Sequence, residues 1–92
     1  MRNLLFIALL LATFISSCKK NEEDRSVTML DVSYASNAQQ KMDVYLPAGR
    51  STATTKVIIM IHGGGWNSGD KSDFNAYVDS LKRREPTYAI FN

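Results

Sequence analysis

Ninety-two residues with 11 basic and 9 acidic side chains, a formal charge of +2, leave room for one small domain. With no basic stripe and no acidic tail, the charge pattern excludes nucleic acid as an expected partner. One cysteine excludes an intrachain disulfide, and with the single histidine distant from it no metal site can be built from the two; no cofactor is expected either. The chain opens on a short positive region, Met1-Arg2-Asn3, followed by an apolar run of twelve residues, Leu4–Ile15, and then the small Ser16 and Ser17. A bilayer span needs ~20 apolar residues. This shorter run has the proportions of a secretory signal peptide over residues 1–17.

Ile15-Ser16-Ser17-Cys18 resembles the lipobox of bacterial lipoproteins, an aliphatic residue and two small ones ahead of the cysteine. The resemblance implies cleavage before Cys18, lipidation of its thiol and acylation of the new amino group. Two or more acyl chains make a stable anchor where one is marginal. The implied location is the bacterial cell envelope, at the periplasmic or surface face of the outer membrane. Lys19–Ser26 contains no apolar residue and, with Cys18, makes residues 18–26 a solvated tether. Its Glu22-Glu23-Asp24 cluster resembles the export signals of some surface-exposed lipoproteins, and ordinary linker composition reads the same way.

Residues 27–92 carry the folded part. Val27–Tyr34 is β-prone, and Lys41–Leu46 alternates until Pro47, with Met42, Val44 and Leu46 on one face and Asp43 and Tyr45 on the other. The polar stretch Ala35–Gln40 between them predicts an antiparallel hairpin. Pro47–Thr55 is a loop by its Pro, Gly, Ser and Thr content. Val57–Ile61 is an unbroken apolar run, which predicts a strand covered on both faces. Ser72–Arg84 then fits a helix, with Phe74, Tyr77, Val78 and Leu81 on one face. Asp70 or Ser72 can cap its start, and Lys82, Arg83 and Arg84 suit its negative end. Tyr88–Phe91 begins another strand. The order β-β-β-α-β predicts an α/β fold in which an antiparallel hairpin leads into a parallel pair joined by a right-handed crossover. Val27–Asn92 would bury little core, so the reading is the first part of a larger domain.

The stretch Lys56–Asp70, KVIIMIHGGGWNSGD, organises the rest. Its glycines follow the apolar strand at its carboxyl end, where open α/β sheets place their ligand sites. Without Cβ atoms, backbone N–H groups there can closely approach a bound group. His62-Gly63-Gly64-Gly65-Trp66 after a strand resembles the oxyanion-hole loop of α/β-hydrolases. Met42–Pro47 looks like the second strand of that superfamily. Gly65-Trp66 with Gly69-Asp70-Lys71 resembles its HGGGW-type esterases, the group of feruloyl-esterase-like, hormone-sensitive-lipase-like and kynurenine-formamidase-like enzymes. The resemblance implies that the Gly64 and Gly65 amides donate to the oxyanion, that His62 and Gly63 support the loop, and that Trp66 packs behind it or lines an acyl pocket. Asp70 would tie the loop down or cap the helix.

Two decoys share these residues. His62, Ser68 and Asp70 offer the residue types of a triad, but Ser68 sits in Asn67-Ser68-Gly69, without the strand–turn–helix elbow that exposes a nucleophile. Gly64 and Gly69 have phosphate-loop spacing, but Asp70 stands where the lysine is needed. In the resembled family, nucleophile, acid and base follow later in the chain, in the order Ser, Asp/Glu, His. The expected function is therefore that of a lipid-anchored serine hydrolase of carboxylic esters, acyl or feruloyl groups on carbohydrate among them, truncated here before its triad. The alternatives are a small non-enzymatic lipoprotein whose exposed strand edge pairs with a partner, and an amide or peptide hydrolase of the same fold. The glycine triplet alone would also suit a tight turn with no ligand.

Overall fold

The computed structural model describes residue 19, residues 21–65 and residues 67–92. The readings of residues 1–17 as a signal peptide, of Cys18 as a lipidation site and of Trp66 as a loop support lie outside the described residues. The elements are β1 (Val27–Ser33), β2 (Lys41–Leu46), β3 (Val57–Ile59), a 3-10 turn over Lys71–Phe74 that runs into α1 (Asn75–Arg84), and β4 (Ala89–Phe91). They form the α/β arrangement expected from the order of strands and helix.

One mixed sheet holds all four strands in the order β1-β2-β4-β3. β1 and β2 make the predicted antiparallel hairpin. Its turn is built from polar side chains: Asn37 Oδ1 accepts from the Gln39 amide at 2.9 Å, and Gln40 Oε1 accepts from the Asn37 amide at 3.0 Å. β2 pairs antiparallel with β4, and β4 pairs parallel with β3, which places the helix in a β–α–β crossover. Pro47, with no amide hydrogen to give a ladder, follows the last residue of β2.

The hairpin carries a bulge. Met29 faces Val44 and Val32 faces Met42, so Leu30 and Asp31 together oppose Asp43. Asp31 adopts φ 56°, a left-handed conformation that aspartate tolerates better than most side chains. Its amide donates to Asp43 Oδ1 at 2.9 Å, which fixes the bulge to the middle of β2.

The core lies where α1 covers the central strands. Val44 of β2, Ala89 and Ile90 of β4 and Val78 of α1 are buried. Fully burying a Val or Ile side chain stabilises by about 1.5–3 kcal/mol. Phe74 and Leu81 are half-buried on the predicted helix face. Tyr77, expected on that face, is instead 63% exposed, with its ring edge-on to Phe74 at 5.8 Å. Beyond Arg84 the helix closes with the Glu85 amide donating to the Leu81 carbonyl at 2.7 Å, and Pro86 prevents its continuation. Lys82 lies 5.0 Å from the centre of the Tyr45 ring, covering the neighbouring part of β2 with a cation–π contact.

Two expectations need adjustment. β3 stops at Ile59 rather than Ile61, because its ladder with β4 ends where the Met60 amide meets the Phe91 carbonyl at 2.7 Å. Nor is β3 covered on both faces: Val57 and Ile59 are 55% and 71% exposed, and Ile61, in the loop beyond it, is 78% exposed. Among the described residues a single α-helix packs on the sheet, and that side of β3 is open. Lys19–Ser26 is exposed where described, as its polarity predicts, yet it is not featureless. Glu22–Asp24 form a 3-10 turn, the Gly49 amide donates to the Glu23 carbonyl, and Arg50 donates to the carbonyls of Glu22 and Arg25.

Candidate active site at the glycine loop

The loop leaves the sheet after Met60, and every described residue from Ile61 to Asp70 is exposed. Its shape comes from the backbone. The Gly64 carbonyl oxygen accepts from the Asn67 amide at 3.2 Å, from the Ser68 amide at 3.0 Å and from the Ser68 hydroxyl at 2.9 Å. Gly64 has φ 138°, and a Cβ there would stand 1.7 Å from the Ser68 carbonyl oxygen. Gly69, with φ 85°, packs onto the start of the loop, where a Cβ would lie 2.1 Å from the Gly63 oxygen. Glycine at these two positions is a condition of closing the loop.

Gly63 differs. Its φ is not in the left-handed region, and among the described residues beyond its chain neighbours no atom lies within 4 Å of the position a Cβ would take. Gly65 has the same open space but a φ of 59°. The amides of Gly63, Gly64 and Gly65 have no acceptor among the described residues. With the Gly64 carbonyl turned into the loop, the triplet offers donors and no competing acceptor of its own at that position. Such a group of fixed N–H dipoles can stabilise a developing negative oxygen.

The side chains around the triplet have local partners. His62 Nδ1 is 2.9 Å from the Gly63 carbonyl, to which it donates in the Nδ1-protonated tautomer. The Ser68 hydroxyl is given to Gly64. Asp70 Oδ2 accepts from the amide and hydroxyl of Ser72, and the Asp70 amide donates to Asp73 Oδ2 at 3.1 Å. Asp70 thus caps the 3-10 turn reciprocally with Asp73. His62, Ser68 and Asp70 share no hydrogen bond, so they form no relay. The Ser72 hydroxyl, and secondarily its amide, holds the Asp70 carboxyl below the ordinary carboxylate range.

Lys71 is the residue that pattern reading missed. Its ammonium lies 2.8 Å from Asp43 Oδ1 and 3.0 Å from Asp31 Oδ1, and the Asp43 side chain is only 6% exposed. The Asn92 side-chain amide donates to the Lys71 carbonyl at 2.8 Å. Asp43 and Asn92 exchange two backbone hydrogen bonds, at 2.7 and 2.9 Å, so the three residues form one connected unit. Hydrogen bonding to Asp43, then to Asp31, pushes the Lys71 ammonium's pKa upward. An ammonium held by two carboxylates is not a phosphate-binding lysine. The available signals were an acid inside an alternating strand and a lysine directly after Gly69-Asp70.

Between the hairpin turn and the loop runs a cleft of about 690 Å³, lined in part by Tyr34, Lys41, Ile59, His62, Ser68 and Asn92. Among the described residues, no group of three or more His, Cys, Asp or Glu side chains could hold a metal ion, and no helix is long and apolar enough to cross a membrane. In comparisons with known proteins, the family model BD-FAE matches residues 42–92, from β2 through the loop and helix to the end of β4. No curated protein and no solved structure matches.

Proposed function

Because the chain belongs to the BD-FAE family, a feruloyl-esterase-like family of α/β-hydrolases, we propose that it supplies the oxyanion loop of a serine hydrolase of carboxylic esters. The observation that carries the reading is the glycine triplet after β3, its amides without acceptors among the described residues and its Gly64 carbonyl tied down by Asn67 and Ser68. The substrate class is an ester of an acyl or feruloyl group, with carbohydrate as a candidate alcohol side.

In this mechanism a serine oxygen attacks the ester carbonyl carbon while its proton passes to a histidine. The carbonyl π electrons move onto oxygen, and the Gly64 and Gly65 amides donate to that oxygen, with a third donor from the residue after the serine. Collapse of the intermediate expels the alcohol, which takes the proton back from the histidine, and water then releases the acid from the acyl-enzyme. Each oxyanion donor is worth about 3–4 kcal/mol in the transition state. Serine, acid and histidine would follow Asn92 in that order. His62 is assigned to the loop and not to proton transfer, since its Nδ1 faces the neighbouring carbonyl.

Export and anchoring belong to the same proposal. Cleavage before Cys18 and acylation of it would hold the domain at the bacterial envelope by at least two acyl chains. The polar residues that follow keep it clear of the bilayer.

The test begins with the coding sequence beyond Asn92, where a G-x-S-x-G is expected roughly 60–100 residues on, from the length of further βα units. The full-length protein should hydrolyse p-nitrophenyl acetate with burst kinetics and lose that activity on treatment with a serine-directed phosphonate. A long open frame without the motif, or a protein inert toward both reagents, removes the enzyme reading.

A further inference from the structure

We infer that Lys71 is a positioning residue for the glycine amides, tying the downstream end of their loop to three strands of the sheet at once; the inference rests on the hydrolase reading above. Among the described residues from Ile61 to Asp70 every side chain is exposed, so none of them places the loop by apolar burial. Internally it is braced: three donors converge on the Gly64 carbonyl, and Gly69 sits against Gly63 and His62. A unit braced in this way is placed by its two ends.

Upstream, the last rung of β3, from the Met60 amide to the Phe91 carbonyl, sets where the chain leaves the sheet. Downstream, among the described residues Asp70 bonds only forward, into the turn that it caps. The attachment to the sheet falls to the next residue. Lys71 reaches Asp31 in the β1 bulge and Asp43 in β2 through its ammonium, and its carbonyl receives the side-chain amide of Asn92, the residue directly after β4. The Asp31 bulge turns a second carboxylate toward the same ammonium, and its amide holds Asp43 Oδ1 in place. With that tie cut, the loop becomes a braced flap hinged at Met60. Oxyanion donors act over a window of 2.7–3.1 Å, and a misplacement of about 1 Å costs on the order of 100-fold in rate.

A merely structural explanation exists: Asp43 is buried, and a buried carboxylate requires a partner. The two are separated by removing both charges together. In the full-length protein, the D43N/K71M variant keeps an acceptor for the Asp31 amide and an apolar stem at position 71, and leaves no unpaired buried ion. The expected result with p-nitrophenyl acetate is a kcat lowered about 10- to 100-fold, with KM and the urea midpoint near wild type. Lys71→Arg, which keeps a cation beside Asp43 and Asp31, should hold kcat within a few-fold of wild type. Asn92→Ala, which frees the Lys71 carbonyl without leaving a buried charge, should lower kcat in the same direction.

A D43N/K71M protein with wild-type kcat overturns the inference and leaves the hydrolase reading intact. Should that variant fail to fold, a normal kcat in Asn92→Ala overturns it instead. A wild type with no ester turnover sinks the hydrolase reading, and the role of Lys71 with it.

Discussion

Gly64 and Ser68 approach so closely that a Cβ on the first would lie 1.7 Å from the carbonyl oxygen of the second. Backbone stands on both sides of that contact, so no rotamer change relieves it. Gly64→Ala must therefore rebuild the loop, and ester turnover should fall by about 100-fold or more. Gly63→Ala meets neither a clash with the described residues nor a left-handed φ, and its unfolding midpoint should change by less than about 0.5 kcal/mol equivalent. Turnover should remain measurable in the Gly63 variant. Parallel denaturation and activity measurements on the two alanines check this ordering, and equal behaviour would mean that the two glycines do the same job.

Gly65→Ala lies between them. Its surroundings are open, but φ 59° places an L-residue in the left-handed region. The cost is about 1–2 kcal/mol. The expected variant is folded and slowed, and a Gly65→Asn protein, whose side chain tolerates that region better, should recover part of the loss.

Lys71 and Asp43 make a strong prediction about stability, separate from rate. Lys71→Met alone leaves the Asp43 carboxylate buried without its cation, and breaking such a pair costs about 3–5 kcal/mol. Adding Asp43→Asn should restore most of that, because the buried charge is gone. A double-mutant cycle in urea measures the coupling. The alkaline side follows the same pair. Asp43 and Asp31 raise the folded pKa of Lys71 above its unfolded value, so this contribution is complete below about pH 10 and is lost only as pH rises through the higher folded value. No loss from this source is expected between pH 7 and pH 9.

Asp70 acts at the other end of the scale. Ser72 depresses its folded pKa below the unfolded value of about 4, so the cap contributes fully above that value and is lost as pH falls through the folded one. Asp70→Asn still accepts from the Ser72 amide but carries no such titration. The wild type should lose more stability than Asp70→Asn between pH 5 and pH 3, read from urea midpoints at each pH. Identical acid slopes would show that the cap owes nothing to the charge.

Much of this could be read in the chain, and the reasons differ by element. Lys41–Leu46 was legible to the residue, because alternation ran without interruption into a proline. The helix was legible from its apolar face, although its first turn tightened into a 3-10 turn through the reciprocal Asp70–Asp73 cap. β3 is shorter than its apolar run, because a periodless apolar run says nothing about where its neighbour stops. Its exposure was missed for a related reason: composition reports what a strand can bury, and coverage depends on what packs against it. The glycine triplet could be located from its place after a strand. The Asp31–Asp43–Lys71 unit could not, since it joins positions 28 residues apart through a side-chain contact and depends on a bulge that no residue pattern announced.

The open side of β3 leads to a last prediction. Val57 and Ile59 present exposed branched side chains along an edge strand, with Ile61 exposed just beyond it, the combination that promotes edge-to-edge pairing. Among the described residues the buried apolar set is Val44, Val78, Ala89 and Ile90, small for a sheet of four strands. A polypeptide of residues 19–92 should therefore unfold over a broad range of urea and scatter light in proportion to its concentration. Ile59→Lys puts a charge on the edge without touching a buried residue, and it should suppress the scattering while leaving the unfolding curve in place. A sharp, concentration-independent transition in the unsubstituted polypeptide would instead show that these strands and one helix fold unaided, and would favour a small lipoprotein over the first part of an esterase domain.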